Sequence, residues 1–184
     1  GYRKAMVLEK LPASMVIVGS GAIGVEFAYF YSSMGTKVTI VEFMPTIVPV
    51  EDEEISKQLE KNFKKAGIEI MTNSTVESVD TGGAQCKVKV KSKEGEKTLE
   101  CDIVLSAVGV STNIEGIGLE DVGVKTDKGK VIVDDFYKTN VPGVYAIGDV
   151  ITGAMLAHKA EEEGVFVAEH MVGQKPHINY NLIP

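Results

Sequence analysis

The chain holds no tryptophan, two cysteines and three histidines in 184 residues. The cysteines, Cys86 and Cys101, stand too far apart in sequence for a C-x-x-C redox pair or a zinc knuckle, so both read as reduced thiols. A reducing setting follows as the default, cytoplasmic, or the mitochondrial matrix for a eukaryotic source. Apolar runs are short. None approaches the roughly 18 residues of a membrane span. The opening GYRKAMVLEKLP has neither the apolar core nor the cleavage site of a secretory signal. Positive charge is scarce: 19 Lys and Arg face 26 Asp and Glu, a net charge of −7. That balance argues against nucleic acid or an anionic membrane as a main partner.

What is present reads as a globular α/β chain. Residues 15–19, MVIVG, form a short apolar run rich in β-branched residues, the pattern of a buried strand. A glycine-rich turn leads into a helix over 22–34 that stops at Gly35. KVTIVE, residues 37–42, is a second strand. Residues 52–66 form a helix with Ile55, Leu59, Phe63 and Ala66 on one face, and residues 68–71 a third strand. The texture then changes. Residues 75–80, 86–91 and 96–100 alternate polar and apolar, clearest in CKVKVK, as antiparallel strands do. DIVLSAV, residues 102–108, returns to a buried strand. The order is a Rossmann-like βαβαβ parallel sheet with a three-stranded antiparallel meander inserted before its last strand. Beyond Val110, short strands are expected at 131–133 and 144–147 and a helix over 155–172.

Two stretches carry chemistry. In GSGAIG, Gly19, Gly21 and Gly24 have the dinucleotide-binding spacing. Gly19 permits the tight turn, Gly21 lets the backbone approach a pyrophosphate, and Gly24 lets the helix pack close to the sheet. The helix start offers free N–H groups and a positive dipole end to phosphates. The motif follows a strand, opens a helix, and is followed by a second strand ending in Glu42, at the spacing of the acid that takes ribose hydroxyls. Glu42 would repel a 2′-phosphate, and Phe43, Met44 and Pro45 offer no Arg or Lys to hold one, so NAD(H) is favoured over NADP(H). Glu26, in the first turns of the helix, is equally well placed simply to complement the helix dipole. The second stretch is VYAIGDVITGAMLAHKA, residues 144–160. There Asp149 follows a strand-like run and a glycine, well placed for ribityl or ribose hydroxyls.

Together, GSGAIGVEFA, VTIVE, DEEISKQLEKNFKKAGI, the meander, LSAVG and VPGVYAIGDVITGAMLAHKAEEEG resemble the flavoprotein disulfide reductases, and among them most nearly the dihydrolipoamide dehydrogenases. The resemblance implies an NAD-binding domain over residues 1–118 and, over 119–184, the incomplete returning part of an FAD-binding domain. It implies that Gly19, Ser20, Gly21, Ala22, Ile23, Gly24, Val25 and Glu26 form the NAD pyrophosphate loop, with Glu42, Val76 and Gly109 completing the NAD site. It places Asp149 on the flavin ribityl chain and Met155, Leu156, Ala157 and His158 along the isoalloxazine. The implied activity is oxidation of protein-bound dihydrolipoamide through a disulfide and FAD, with NAD+ as hydride acceptor. The implied partners are NAD(H), a lipoyl-bearing protein of a 2-oxoacid dehydrogenase or glycine cleavage complex, and a second copy in a homodimer.

The departures matter equally. The family's N-terminal FAD glycine loop, its redox disulfide and its C-terminal dimerisation domain have no counterpart here, so no catalytic residue is assigned. His158 and Glu163 share the five-residue spacing of the family's catalytic His and Glu, but they lie in the segment matching the flavin-side helix. Val110-Ser111-Thr112-Asn113 stands where the family often has an Arg and a Pro. The expectation is therefore an internal segment of a larger enzyme, one that binds NAD(H) without catalysing. The alternatives are the same segment of another NADH-dependent flavoprotein, such as an NADH oxidase or a different disulfide reductase, or a non-enzymatic NAD-binding module.

Overall fold

The computed structural model describes residues 1–183. They form two compact units, Gly1–Gly109 and a second beginning at Val110.

In the first unit a four-residue helix α1 (Tyr2–Ala5), absent from the sequence-based expectations, precedes β1 (Ser14–Val18). Then follow α2 (Ala22–Ser33), β2 (Lys37–Val41), α3 (Glu53–Lys65) and β3 (Glu69–Met71). The meander is β4 (Thr75–Asp80), β5 (Cys86–Ser92) and β6 (Gly95–Cys101), and β7 (Ile103–Ser106) returns to the parallel sheet. That sheet has the order β3-β2-β1-β7 and is parallel throughout, with Ile17 opposite both Ile40 and Leu105.

The period-2 alternation of strand side chains divides the core. Met15, Ile17, Val38, Ile40 and Leu105 face the helices and pack with Ala28, Tyr31 and Phe63. Val16 and Val41 face the opposite way and pack with Val88, Val90 and Cys101 of the meander. The central strands are thus buried on both faces, which is why they read as continuous apolar runs. The meander is buried on one face only. Val88 and Val90 are inside, while Lys87, Lys89 and Lys91 point outward.

Helix α3 departs from its expected face. Ile55 and Ala66 are exposed, and the buried side is Ser56, Leu59 and Phe63, an i, i+3, i+7 row. The apolar reading missed it because a serine fills one core position. Its hydroxyl is satisfied by donating to the Val48 carbonyl at 3.2 Å. Asp52 caps this helix, accepting from the Glu54 and Ile55 amides at 2.8 and 3.3 Å. Such a cap stabilises by about 0.5–2 kcal/mol.

The second unit contains a two-stranded hairpin, β8 (Thr126–Asp127) with β9 (Lys130–Val131), and α4 (Ala157–Met171). The strand expected at 131–133 is therefore shorter and earlier. That expected at 144–147 is no strand: it makes one isolated bridge, Lys138 to Tyr145, and a few backbone bonds such as Ala146 N–H to the Tyr137 carbonyl. Strand-like side chains form a strand only beside a partner of matching length, and the described residues of this unit supply none. The unit has its own core of Val124, Val131, Tyr137, Ile151 and Val167.

Helix α4 buries charge where an amphipathic helix normally buries carbon. Lys159 and Glu163, one turn apart, are both buried and paired at 2.8 Å. The Glu163 carboxylate also accepts from the Gly148 amide at 2.6 Å and the Tyr180 hydroxyl at 2.9 Å, and Tyr180 shares a hydrogen bond with Tyr137. Burial, reinforced by those two hydrogen bonds, pushes the Tyr180 phenol far above its usual range. Removing one partner leaves a buried charge uncompensated, at a cost of about 3–5 kcal/mol. Lys159→Met should lower stability by that order in chemical unfolding followed by near-ultraviolet circular dichroism of the tyrosines. Adding Glu163→Leu should restore part of the loss.

Candidate functional site

The turn between β1 and α2 is set by steric necessity. Gly19 has φ +97°, and a Cβ there would lie 2.5 Å from the carbonyl oxygen of Ala107, just past the end of β7. A Cβ at Gly24 would lie 2.1 Å from the Gly19 carbonyl oxygen, so only glycine lets α2 approach the turn this closely. At Gly21 a Cβ would meet nothing within 4 Å. Its bareness serves no protein contact and leaves open backbone at the first turn of α2. Gly19 and Gly24 thus fill the steric roles expected of them, the tight turn and the close approach of helix to sheet.

Glu42 stands at the end of β2, facing the turn. Its Oε2 accepts from the Ser20 amide at 2.7 Å and from the Ser20 hydroxyl at 2.6 Å, while Oε1 accepts from the Met44 amide at 2.7 Å. Ser20 is fully buried and Glu42 is 7% exposed. A carboxylate has about four lone-pair directions. Three are used by the protein, which leaves room for one further donor such as a ribose hydroxyl.

A second tie comes from the loop after β2. The Val48 amide donates to the Ser20 carbonyl at 3.0 Å. Val48 has φ +40°, an uncommon conformation for a β-branched residue. It is held there by burial of Ile47 and Val48 in the core and by the bond from Ser56 to its carbonyl. Ser20 is thus gripped at its amide, hydroxyl and carbonyl.

A cavity of about 490 Å³ opens beside Ser20 and Glu42. Gly19, Ser20, Gly21, Glu42, Val76 and Gly109 line it, all of them expected site residues. Ala22, Ile23, Gly24, Val25 and Glu26 do not. Gly24 and Val25 are buried beneath the helix start, and Glu26 is exposed on its outer side. The sequence reading missed Phe43 and Val50, apolar rim residues that are 72% and 89% exposed. The signal was the apolar run FMPTIVPV after Glu42: Ile47 and Val48 anchor the loop, and Phe43, Pro49 and Val50 border the cavity. A larger concavity of about 830 Å³ along β3 contains none of the expected residues.

In the second unit Asp149 is exposed on a 3-10 turn, Gly148–Val150. Glu163 and Lys159 hold that turn by its Gly148 amide and carbonyl, at 2.6 and 3.3 Å. Met155 is half-buried, and Leu156, Ala157 and His158 are exposed where α4 begins. Leu156 lines a separate cavity of about 540 Å³ that the other four do not border. Glu163, five residues after His158, is committed to the Gly148 amide, the Tyr180 hydroxyl and Lys159. Among the described residues no cluster of His, Cys, Asp or Glu could hold a metal ion, and no helix is long and apolar enough to cross a membrane.

The family model for pyridine nucleotide-disulphide oxidoreductases matches residues 2–164. Dihydrolipoyl dehydrogenase of Rhizobium etli is 50% identical over 173 residues, which are 94% of this chain and 36% of that protein. The mitochondrial dihydrolipoyl dehydrogenase of Pisum sativum is 43% identical over 98% of this chain and 36% of its own length. Among solved structures, the HOCl-induced flavoprotein disulfide reductase of Escherichia coli superimposes with a TM-score of 0.85 at 28% identity, over 94% of this chain and 39% of that one. The chain spans a little over a third of the length of these relatives.

The glycines separate folding from binding. Gly24→Ala should cost at least about 1–3 kcal/mol through overpacking against backbone. Gly21→Ala should change stability by under about 1 kcal/mol while weakening dinucleotide binding. Chemical unfolding and ligand titration on the same two variants check both.

Proposed function

Since the chain belongs to the pyridine nucleotide-disulphide oxidoreductases, we propose that it is the NAD-binding segment of a dihydrolipoyl dehydrogenase, with part of the FAD-binding domain following. The observation that carries this reading is the cradle at Gly19, Gly21 and Gly24, closed to side chains at two positions and open at the third. The diphosphate lies against the backbone at Gly21 and the start of α2, where free N–H groups and the helix dipole favour negative charge. The adenosine ribose reaches the remaining lone pair of Glu42. Val76 and the rim residues Phe43 and Val50 border the same cavity, and Gly109 stands at its edge. The buried Glu42 carboxylate would oppose a 2′-phosphate, so the cofactor is NAD(H).

In the second unit, Asp149 and residues 155–158 contribute to a flavin site that this chain holds only in part. When bound, FAD and NAD supply the hydride chemistry. This chain's own residues bind and orient the dinucleotide, and the protein around a nicotinamide and flavin excludes competing reactions. The intact enzyme acts on a lipoyl-bearing protein of a 2-oxoacid dehydrogenase or glycine cleavage complex, as a homodimer, in the cytoplasm or the mitochondrial matrix. The isolated chain is not catalytic. The structural likeness to an HOCl-induced flavoprotein disulfide reductase favours one second reading, the same segment in a different disulfide reductase.

Titration of the purified chain with NADH and with NADPH, followed by nucleotide fluorescence, tests the proposal. Saturable NADH binding is expected, with NADPH weaker by at least about tenfold, some 1.4 kcal/mol. Dihydrolipoamide should give no reduction of NAD+. Equal binding of both nucleotides, or of neither, would overturn the reading.

A further inference from the structure

Cys86 and Cys101 are 15 positions apart in sequence, yet β5 and β6 pair them directly opposite each other. Directly opposed residues on antiparallel strands have Cα atoms about 4.5–5.5 Å apart, inside the window of about 4.4–6.8 Å that a disulfide spans. Both side chains lie on the same face of the hairpin and pack in the same cluster with Val88 and Leu99. The two thiols differ. Cys86 is half-exposed, its sulfur 3.7 Å from the Asp102 carbonyl oxygen, whereas Cys101 is buried. Burial pushes the Cys101 thiol above its usual range, and proximity to Cys86 adds to the shift. The pair closes the open end of the hairpin, opposite the Lys93 and Glu94 turn.

From this juxtaposition we infer that Cys86 and Cys101 form a reversible cross-strand disulfide on exposure to peroxide. The Cys86 thiolate attacks a peroxide oxygen. The S–O bond forms, the O–O bond breaks, and the leaving hydroxide takes a proton to become water. The Cys101 sulfur then attacks the Cys86 sulfenic sulfur. The S–S bond forms, the S–O bond breaks, and the oxygen departs as a second water with the Cys101 proton. Two thiols and one peroxide give one disulfide and two waters, and the electron pair lost by the sulfurs reduces the peroxide. Cys86 reacts first because it is the accessible thiol. Cys101 resolves because it is already opposite, within the same packed cluster. A disulfide bridging paired strands is strained and thus easily reduced again. Neither cysteine lines the candidate nucleotide cavity.

The test is hydrogen peroxide treatment of the 184-residue chain, free-thiol titration, and peptide mapping without reductant. The expected result is loss of both thiols together, a linked pair of peptides containing Cys86 and Cys101 from one chain, and full recovery with dithiothreitol. In Cys101→Ser the Cys86 sulfenic acid should persist and be trapped by dimedone. In Cys86→Ser the Cys101 thiol should react at least about tenfold more slowly than Cys86 in the intact chain, as expected for a buried thiol. Over-oxidation of Cys86 with Cys101 still free, cross-linking between chains, or no reaction at either thiol would overturn the inference.

Discussion

One buried carboxylate governs the geometry of the candidate site. Glu42 reaches from the end of β2 across to the turn after β1 and binds both the amide and the hydroxyl of Ser20. Leaving a buried amide without such an acceptor costs about 1–3 kcal/mol, so the turn and the strand end stand or fall together. In the proposed reading the same carboxylate faces a ribose, so the group that would select the cofactor would also shape the loop that holds its phosphates. A substitution at Glu42 therefore cannot alter one property alone.

The sheet around it makes this precision affordable. The central strands of the first unit are buried on both faces, by helices on one side and by the meander on the other. Such strands have little freedom to slip, since a one-residue shift would exchange their two faces. Gly19 and Gly24 then bring the turn, the neighbouring β7 end and the start of α2 into contact at distances no side chain would permit. The loop after β2, anchored by Ile47 and Val48, supplies the third hold on Ser20.

Much of this was legible in the sequence, for identifiable reasons. Continuous β-branched runs marked β1, β2 and β7, alternation in CKVKVK marked β5, and glycine spacing marked the cradle. The serine in the buried row of α3 was hidden, because a hydroxyl satisfied by a distant carbonyl carries no apolar signal. The inward commitment of Glu42 was hidden likewise, since spacing locates a carboxylate but not its partners. Residues 144–147 show the opposite error: strand-like composition without a strand, because pairing depends on what lies alongside. The Lys159 and Glu163 pair and the opposed cysteines share this cause. Their meaning lies in contacts across a helix turn or a hairpin register.

The second unit follows the same logic with different materials, a buried ion pair and two tyrosines fixing the backbone just before Asp149. In both units a buried acid on one element grips the backbone of a glycine-bearing turn on another. The hydrogen bonds on Ser20 hold the glycine-rich turn after β1 in place before any ligand arrives. Amide hydrogen exchange at Ser20, measured in the free chain and again with saturating NADH, tests it most directly. Slow exchange at Ser20 in the free chain, with little further change on binding, is the expected result. Fast exchange in the free chain, with protection only after NADH is added, would contradict it.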